Sequence, residues 1–432
     1  MNKEREKYQP SSELGWIDFS ENDRNKVLKV LEMLKPSGTV DELGVGVVRD
    51  SLSDAMFPGI TTIMTRAKYY FIVPRILCSY LSDKRIHSKI NMRQYLREEE
   101  NEIIHSLAKE YDYNEDHRII GINIATYNKD LPKRRWKELV RKPSSIYWNG
   151  MRSFGIYKGQ MPLSVFLDNF NVNSIEHERG YDTPEGETGD DRDAHINAAL
   201  PFKLPEYSKN WKDHLGLDLS PDEASFLQHK IIDNHTNTLL AELLKNKKYC
   251  LEFLDADSFQ ELCNKPFIEK LPEHISSVIY LARDFWQIMG GAHIRYNLLI
   301  QEKKGVGDEL KREFTAIWEN WAKEMRSFQW DSFDQSKLWE ITSAHNRRVK
   351  PKTFKFINRW IDSVKSGIFD EKSLDELVIR QESDNKGNRS KLKAGNDDKY
   401  DEWIGLTTMS FRFGNARLIF SDIIKGLNDA GL

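Results

Sequence analysis

The sequence predicts a mainly α-helical protein of two lobes. Apolar residues recur at three- and four-residue spacing along most of its 432 positions, and recognisable helix starts and stops punctuate them. No unit of 20 to 50 residues is seen to repeat, so the sequence gives no support to a solenoid. With 39% hydrophobic and 11% aromatic residues, the chain has enough apolar mass for a large core.

The elements follow in order. Ser20, Glu21 and Asp23 precede Val27, Leu28, Val30, Leu31 and Leu34, and Pro36-Ser37-Gly38 stops that first helix. A second spans Val47 to Met56 and ends at Phe57-Pro58-Gly59; a third runs from Thr61 to about Leu81, with Pro74 expected to kink it. Asn91 to Glu110 reads as a surface helix with Leu96, Ile103, Ile104 and Leu107 inward and Glu98, Glu99 and Glu100 on a solvated face. Pro143-Ser144-Ser145 opens a helix through Tyr147, Trp148, Met151 and Phe154 that ends at Gly155 or Gly159.

Between Glu176 and Asp193 acidic residues and glycines replace the aliphatics. That change marks a mobile boundary at 176–200 between lobes 1–175 and 201–432. Ser220-Pro221-Asp222-Glu223 is the sharpest helix start, a capping box with proline at the first helical position. Helices follow at Phe226 to Ile232 and Thr238 to Leu244, then a central one from Glu273 to about Gln301, apolar on more than one face. Lys311 to Met325, Thr353 to Val364 and Trp403 to Leu427 complete the set, with a polar loop over 383–398 before the last.

Composition narrows the function. Against 67 acidic residues stand 64 Lys and Arg, a net charge of -3, so any polyanion surface is a local patch. Cys78, Cys250 and Cys263 lie far apart, which fits neither a zinc cluster nor a disulfide framework. Met1 to Pro10 lacks the apolar run of a signal peptide, and Ile275 to Ile300 carries Arg283, Asp284, His293 and Arg295, a poor membrane span. A cytoplasmic protein without membrane contact is expected.

No phosphate loop, HExxH, GxSxG or strand-linked GxGxxG occurs, and no motif implies a cofactor. Gly44-Val45-Gly46 reads as a turn. Glu302-Lys303-Lys304, with Asp284 upstream, has a nuclease-like spacing but sits on or beside one helix, where carboxylates do not converge on a metal. Gly290-Gly291-Ala292-His293-Ile294-Arg295-Tyr296-Asn297 puts two glycines and three polar side chains inside the most apolar helix. Glycines there imply close approach by a neighbour. His293, Arg295 and Asn297 then form either a buried network that fixes packing or, alternatively, a catalytic site.

Two basic runs can meet phosphates: Lys133-Arg134-Arg135-Trp136-Lys137 with Arg141 and Lys142, and Arg347, Arg348, Lys350, Lys352, Lys355 and Arg359. A solvated loop is the competing reading of each. Near the N-terminus, Asp41-Glu42-Leu43-Gly44-Val45-Gly46-Val47-Val48-Arg49-Asp50 and the Phe57 to Tyr70 stretch concentrate glycine, aromatics and paired charges. Arg49, Arg66 and Lys68 there are candidates for partner binding or for pairing within the fold.

The segments GWIDFS, DELGVGVVRD, FPGITTIMTRAKYYFIVPR and FWQIMGGAHIRYN resemble a bacterial family catalogued as domain of unknown function 6361, over most of the chain. The resemblance implies no activity. It implies company: members stand beside helicase-like or nuclease-like genes in mobile or defence islands. The expectation is a non-enzymatic subunit of an anti-phage complex that binds such proteins, and DNA through a basic loop. The alternative is a nuclease-like enzyme built around His293.

Overall fold

The computed structural model describes residues 41–169, 200–304, 308–345, 348–367, 369–393, 403–406 and 409–429. The helix expected from Ser20, the acidic boundary from Glu176 to Asp193, and Arg347 lie outside them. Helices α1 (Gly46–Met56), α2 (Tyr69–Ser82), α3 (Lys84–His87), α4 (Met92–Glu110), α5 (Ile122–Asn128), α6 (Pro143–Ser153) and α7 (Leu163–Asn169) come first. Next are α8 (Pro221–Asn234), α9 (Leu239–Lys245), α10 (Lys247–Asp255), α11 (Phe259–Cys263) and α12 (Glu273–Lys304). Then follow α13 (Asp308–Arg326), α14 (Gln335–Ala344), α15 (Pro351–Lys365), α16 (Glu371–Lys386) and α17 (Phe413–Asp429). The protein is mainly α. Among the described residues the only β pairing is an isolated antiparallel bridge, Tyr157 to Phe202.

Sequence signals locate most of these helices, and the differences have local causes. Ser220 Oγ accepts the Glu223 N–H at 3.2 Å while Glu223 Oε2 accepts the Ser220 N–H at 2.8 Å, closing the expected capping box. The third helix begins at Tyr69, not Thr61, because residues 61–68 form a turn held by distant side chains. α16 extends to Lys386 through the first part of the expected polar loop, with Gly387 at φ +58° as its C-cap. The last helix starts at Phe413, not Trp403.

The chain forms two compact units that interleave along the sequence. Of the described residues, the larger contains those within 47–285, 331–348 and 410–429, and the smaller those within 41–46, 286–330 and 349–409.

In the larger unit α2 is buried along nearly its whole length, from Tyr69 to Cys78. Tyr147 of α6 reads the turn ahead of it: its hydroxyl accepts the Thr65 and Arg66 N–H groups at 2.9 and 3.1 Å and donates to Arg66 O at 2.8 Å. The C-terminal helix grips the same turn. Asn415 Nδ2 donates to Met64 O at 2.8 Å, and Asp422 accepts Arg66 Nε at 3.0 Å and the Ala67 N–H at 2.7 Å; just ahead of the helix, Arg412 pairs with Asp54 of α1. α17 also crosses α8 closely enough that a Cβ on Gly426 would lie 2.7 Å from Ala224 Cβ.

In the smaller unit two indoles hold the C-terminal part of α12. Trp321 Nε1 donates to Gln287 O at 2.7 Å and Trp360 Nε1 to Ile288 O at 2.9 Å. Gly291 makes this possible: a Cβ there would lie 2.3 Å from Trp321 Cζ2, whereas one on Gly290 would meet only Trp321 Nε1, at 4.0 Å. Residues 41–46 dock on α16. Gln381 Nε2 donates to Leu43 O at 2.6 Å, Asn385 Nδ2 to Glu42 O at 3.0 Å, and the buried Glu42 carboxylate receives Lys386 at 3.0 Å and Lys391.

Gly291→Ala is expected to lower stability by about 1 to 3 kcal/mol through overpacking. Gly290→Ala, free of that clash, gains up to about 1 kcal/mol of helix propensity; urea denaturation of the two variants reads the opposite signs. Asp422→Ala leaves a largely buried Arg66 without its main partner and is expected to cost about 3 kcal/mol or more in the same assay.

Candidate nucleic-acid interface

The first basic run lies on a rigidly held connection between α5 and α6. Asn128, the last residue of α5, is buried and clasps Lys137: its Oδ1 accepts the Lys137 N–H and its Nδ2 donates to Lys137 O, both at 2.9 Å. The Trp136 ring stacks on His105 of α4 with centroids 3.7 Å apart and planes 11° off parallel, and its Nε1 donates to Leu131 O at 2.9 Å. Burial lowers the His105 pKa, and His105 Nε2 accepts from Asn128 Nδ2 at 3.1 Å, the arrangement of a neutral imidazole. Residues 133–135 form one 3-10 turn. This scaffold leaves Arg134, Arg135, Lys137 and Arg141 exposed, and none of the four pairs with an acidic side chain among the described residues. Lys133 and Lys142 differ, paired with Glu102 and Glu138.

The second run enters α15. Lys350 is its N-cap and makes no side-chain cap bond, and Pro351 takes the first helical position. Lys352, Lys355 and Arg359 follow at helical spacing on one exposed face. Lys352 is paired with Asp384 at 2.6 Å; Lys355 and Arg359 have no ion pair among the described residues. Arg348, just ahead, is exposed.

The other sequence candidates are built into the fold. Arg66 bridges Asp422 at 2.9 Å and Asp218 at 3.2 Å, and Lys68 meets Glu223 at 2.7 Å, where Arg75 joins it at the same distance. Arg49 pairs with its neighbour Asp50. His293 is fully buried, with the Trp286 ring 6.0 Å away between centroids. Arg295 grips Asp375 through two bonds of 2.7 and 2.6 Å, reaches Glu371 at 3.1 Å and lies over the Trp318 ring. Asn297 exchanges two hydrogen bonds with the backbone of Ile404, at 2.8 and 2.7 Å. The polar groups of Arg295 and Asn297 are thus bound within the protein. Asp284 and Glu302 both lie on α12, each with a basic partner, Arg283 and Lys311.

Burial pushes all three cysteine thiols up to about 12, which keeps them unreactive. Among the described residues no helix is long and apolar enough to cross a membrane, and no three His, Cys, Asp or Glu side chains converge as metal ligands.

Three segments that carry the family resemblance, within residues 41–50, 57–75 and 285–297, supply contacts described above, and a family model matches the chain over residues 11–431. The chain belongs to the family of unknown function DUF6361. No curated protein and no solved structure matches it.

One further feature of this DUF6361 chain adjoins the basic connection. A cavity of about 700 Å³ is lined by Arg93, Arg97, Glu100, Glu138, Val140 and Lys142, among others. Glu100, expected on a solvated face, is 1% exposed. Its place follows from the helix period: it stands four residues after Leu96 and four before Ile104, on the apolar stripe of α4. There it caps α6 from outside, accepting the Ser144 N–H at 2.6 Å and the Ser144 hydroxyl at 3.1 Å. Loss of water outweighs those bonds and lifts its pKa from 4.5 to about 7.

A carboxyl raised in this way retains its proton in the folded chain between pH 4.5 and about 7 while the unfolded chain releases it. Its contribution to stability is present at low pH and is lost as pH rises through that window, on the order of 3 kcal/mol. Glu100→Gln keeps the neutral form and both contacts. Urea denaturation at pH 5 and pH 8 is expected to show the variant gaining stability relative to wild type at pH 8 and matching it at pH 5.

Proposed function

We propose that this chain is a non-enzymatic, cytoplasmic subunit of a bacterial anti-phage assembly, one that docks on helicase-like or nuclease-like partners and holds DNA by its phosphate backbone. The observation that carries the DNA contact is the set of exposed cations without ion pairs, Arg134, Arg135, Lys137 and Arg141, on a pinned connection. Elsewhere in the same unit, cations such as Arg66, Lys68 and Arg75 are matched by acids. A solvated loop has no need of the Asn128 clasp and the Trp136 stack. A phosphate-binding surface does, because a held backbone loses less entropy when the ligand arrives. Lys350, Lys352 and Lys355 are the second candidate contact, with Arg359 on the same helix face. The defence setting and the class of protein partner rest on the gene company that the family resemblance implies.

Each phosphate neutralised by a cation releases counterions, so the logarithm of the affinity for DNA falls linearly with log salt, by slightly under one decade per decade of salt per contact. The double variant Arg134→Ala, Arg135→Ala is expected to weaken binding and to flatten the salt dependence by roughly 1.5 to 2. Fluorescence anisotropy across a salt titration measures both. An unchanged slope removes these two arginines from the contact.

A further inference from the structure

The phosphate-contact reading leaves open which form of polynucleotide the basic connection takes, and two exposed apolar side chains address that. Tyr127, on the last turn of α5, is 55% exposed, and Lys137 Nζ stands 3.8 Å from its ring centroid. Val140, inside the basic segment, is 87% exposed. Single exposed apolar residues are ordinary on protein surfaces. These two are distinguished by position, because Tyr127 and Val140 bracket Arg134, Arg135 and Lys137 in the chain, and Val140 also lines the cavity beside Glu100.

In a duplex the bases are stacked on one another, so a surface aromatic ring finds no free base face to stack on. A single strand has unstacked bases, and aromatic side chains amid cations give them a platform that tolerates any sequence. The cavity that Val140 lines, at about 700 Å³, has room for one unstacked base. The rigid mounting of the segment by Asn128 and Trp136 holds the platform and the cations in one register.

We propose that the α5–α6 connection is a binding site for single-stranded nucleic acid, with Tyr127 as a base-stacking platform and Arg134, Arg135, Lys137 and Arg141 following the phosphates. This rests on the phosphate-contact reading and narrows it to one strand form.

The test uses the full chain and three labelled probes of mixed sequence and equal length: single-stranded DNA, single-stranded RNA and duplex DNA. Both single strands share the chemistry the site reads, and tighter binding of one names the source. Wild type is expected to bind at least one single strand more tightly than the duplex. Tyr127→Ala is expected to weaken that binding roughly tenfold, the loss of one stacked base, and to leave duplex binding unchanged. Tyr127→Phe, which keeps the ring, is expected to retain it. Circular dichroism and thermal melting establish that each variant is folded.

Equal affinity for single strand and duplex, or single-strand affinity unmoved in Tyr127→Ala, overturns the single-strand proposal. Arg134 and Arg135 then remain tested separately by the salt slope. Failure of wild type to bind any of the three probes overturns both this inference and the phosphate-contact reading beneath it.

Discussion

The larger unit depends on one buried carboxylate. Asp422 receives the Arg66 guanidinium and the Ala67 N–H together, and so ties the turn ahead of α2 to the last helix across 356 residues of sequence. Burial alone would favour its protonated form and raises its pKa, while the guanidinium and the amide hold the charge in place. The turn it fixes also carries the backbone groups that Tyr147 reads, and α2 emerges directly from it. The smaller unit has a comparable pin of opposite sense, the buried Glu42 carboxylate between Lys386 and Lys391. In both, a charge is buried together with its partners, because removing one partner costs far more than the pair contributes.

The sequence was legible where the signal is local. The capping box at Ser220, the long amphipathic helices and the close approach at Gly291 follow from spacing within one or two turns. Charged residues were harder, because their meaning depends on partners far away. Arg66 and Lys68 read equally well as a docking face or as internal pairs, and nothing near them in the chain announces Asp422 or Glu223. α16 escaped for a related reason: the buried stripe Leu374, Val378, Gln381 and Glu382 turns polar in its second half, so its end resembles a loop. Glu100 is different, since its position on the apolar stripe of α4 was available and the neighbouring glutamates obscured it.

The same distinction governs the candidate site. That residues 133–142 are basic is visible at a glance. That Asn128 and Trp136 fix the segment is not, because a buried asparagine and a stacked indole have no periodic signature. Exposure of Tyr127 is likewise a tertiary fact. Composition locates a charged segment, and only packing separates a mounted surface from a solvated loop.

Interleaving of the two units has a consequence for biosynthesis. Arg66 is made 356 residues before Asp422, a delay of roughly 20 to 70 seconds at ordinary translation rates. Through that interval the aromatics of α2, Tyr69, Tyr70 and Phe71, wait for the C-terminal helix that anchors the turn ahead of them. The smaller unit waits as well, since residues 41–46 find α16 only when residue 386 has been added. Neither unit can close during translation of the first half of the chain. Nascent chains therefore spend their vulnerable period with apolar surface exposed, which makes yield sensitive to chaperone supply and to the rate of elongation.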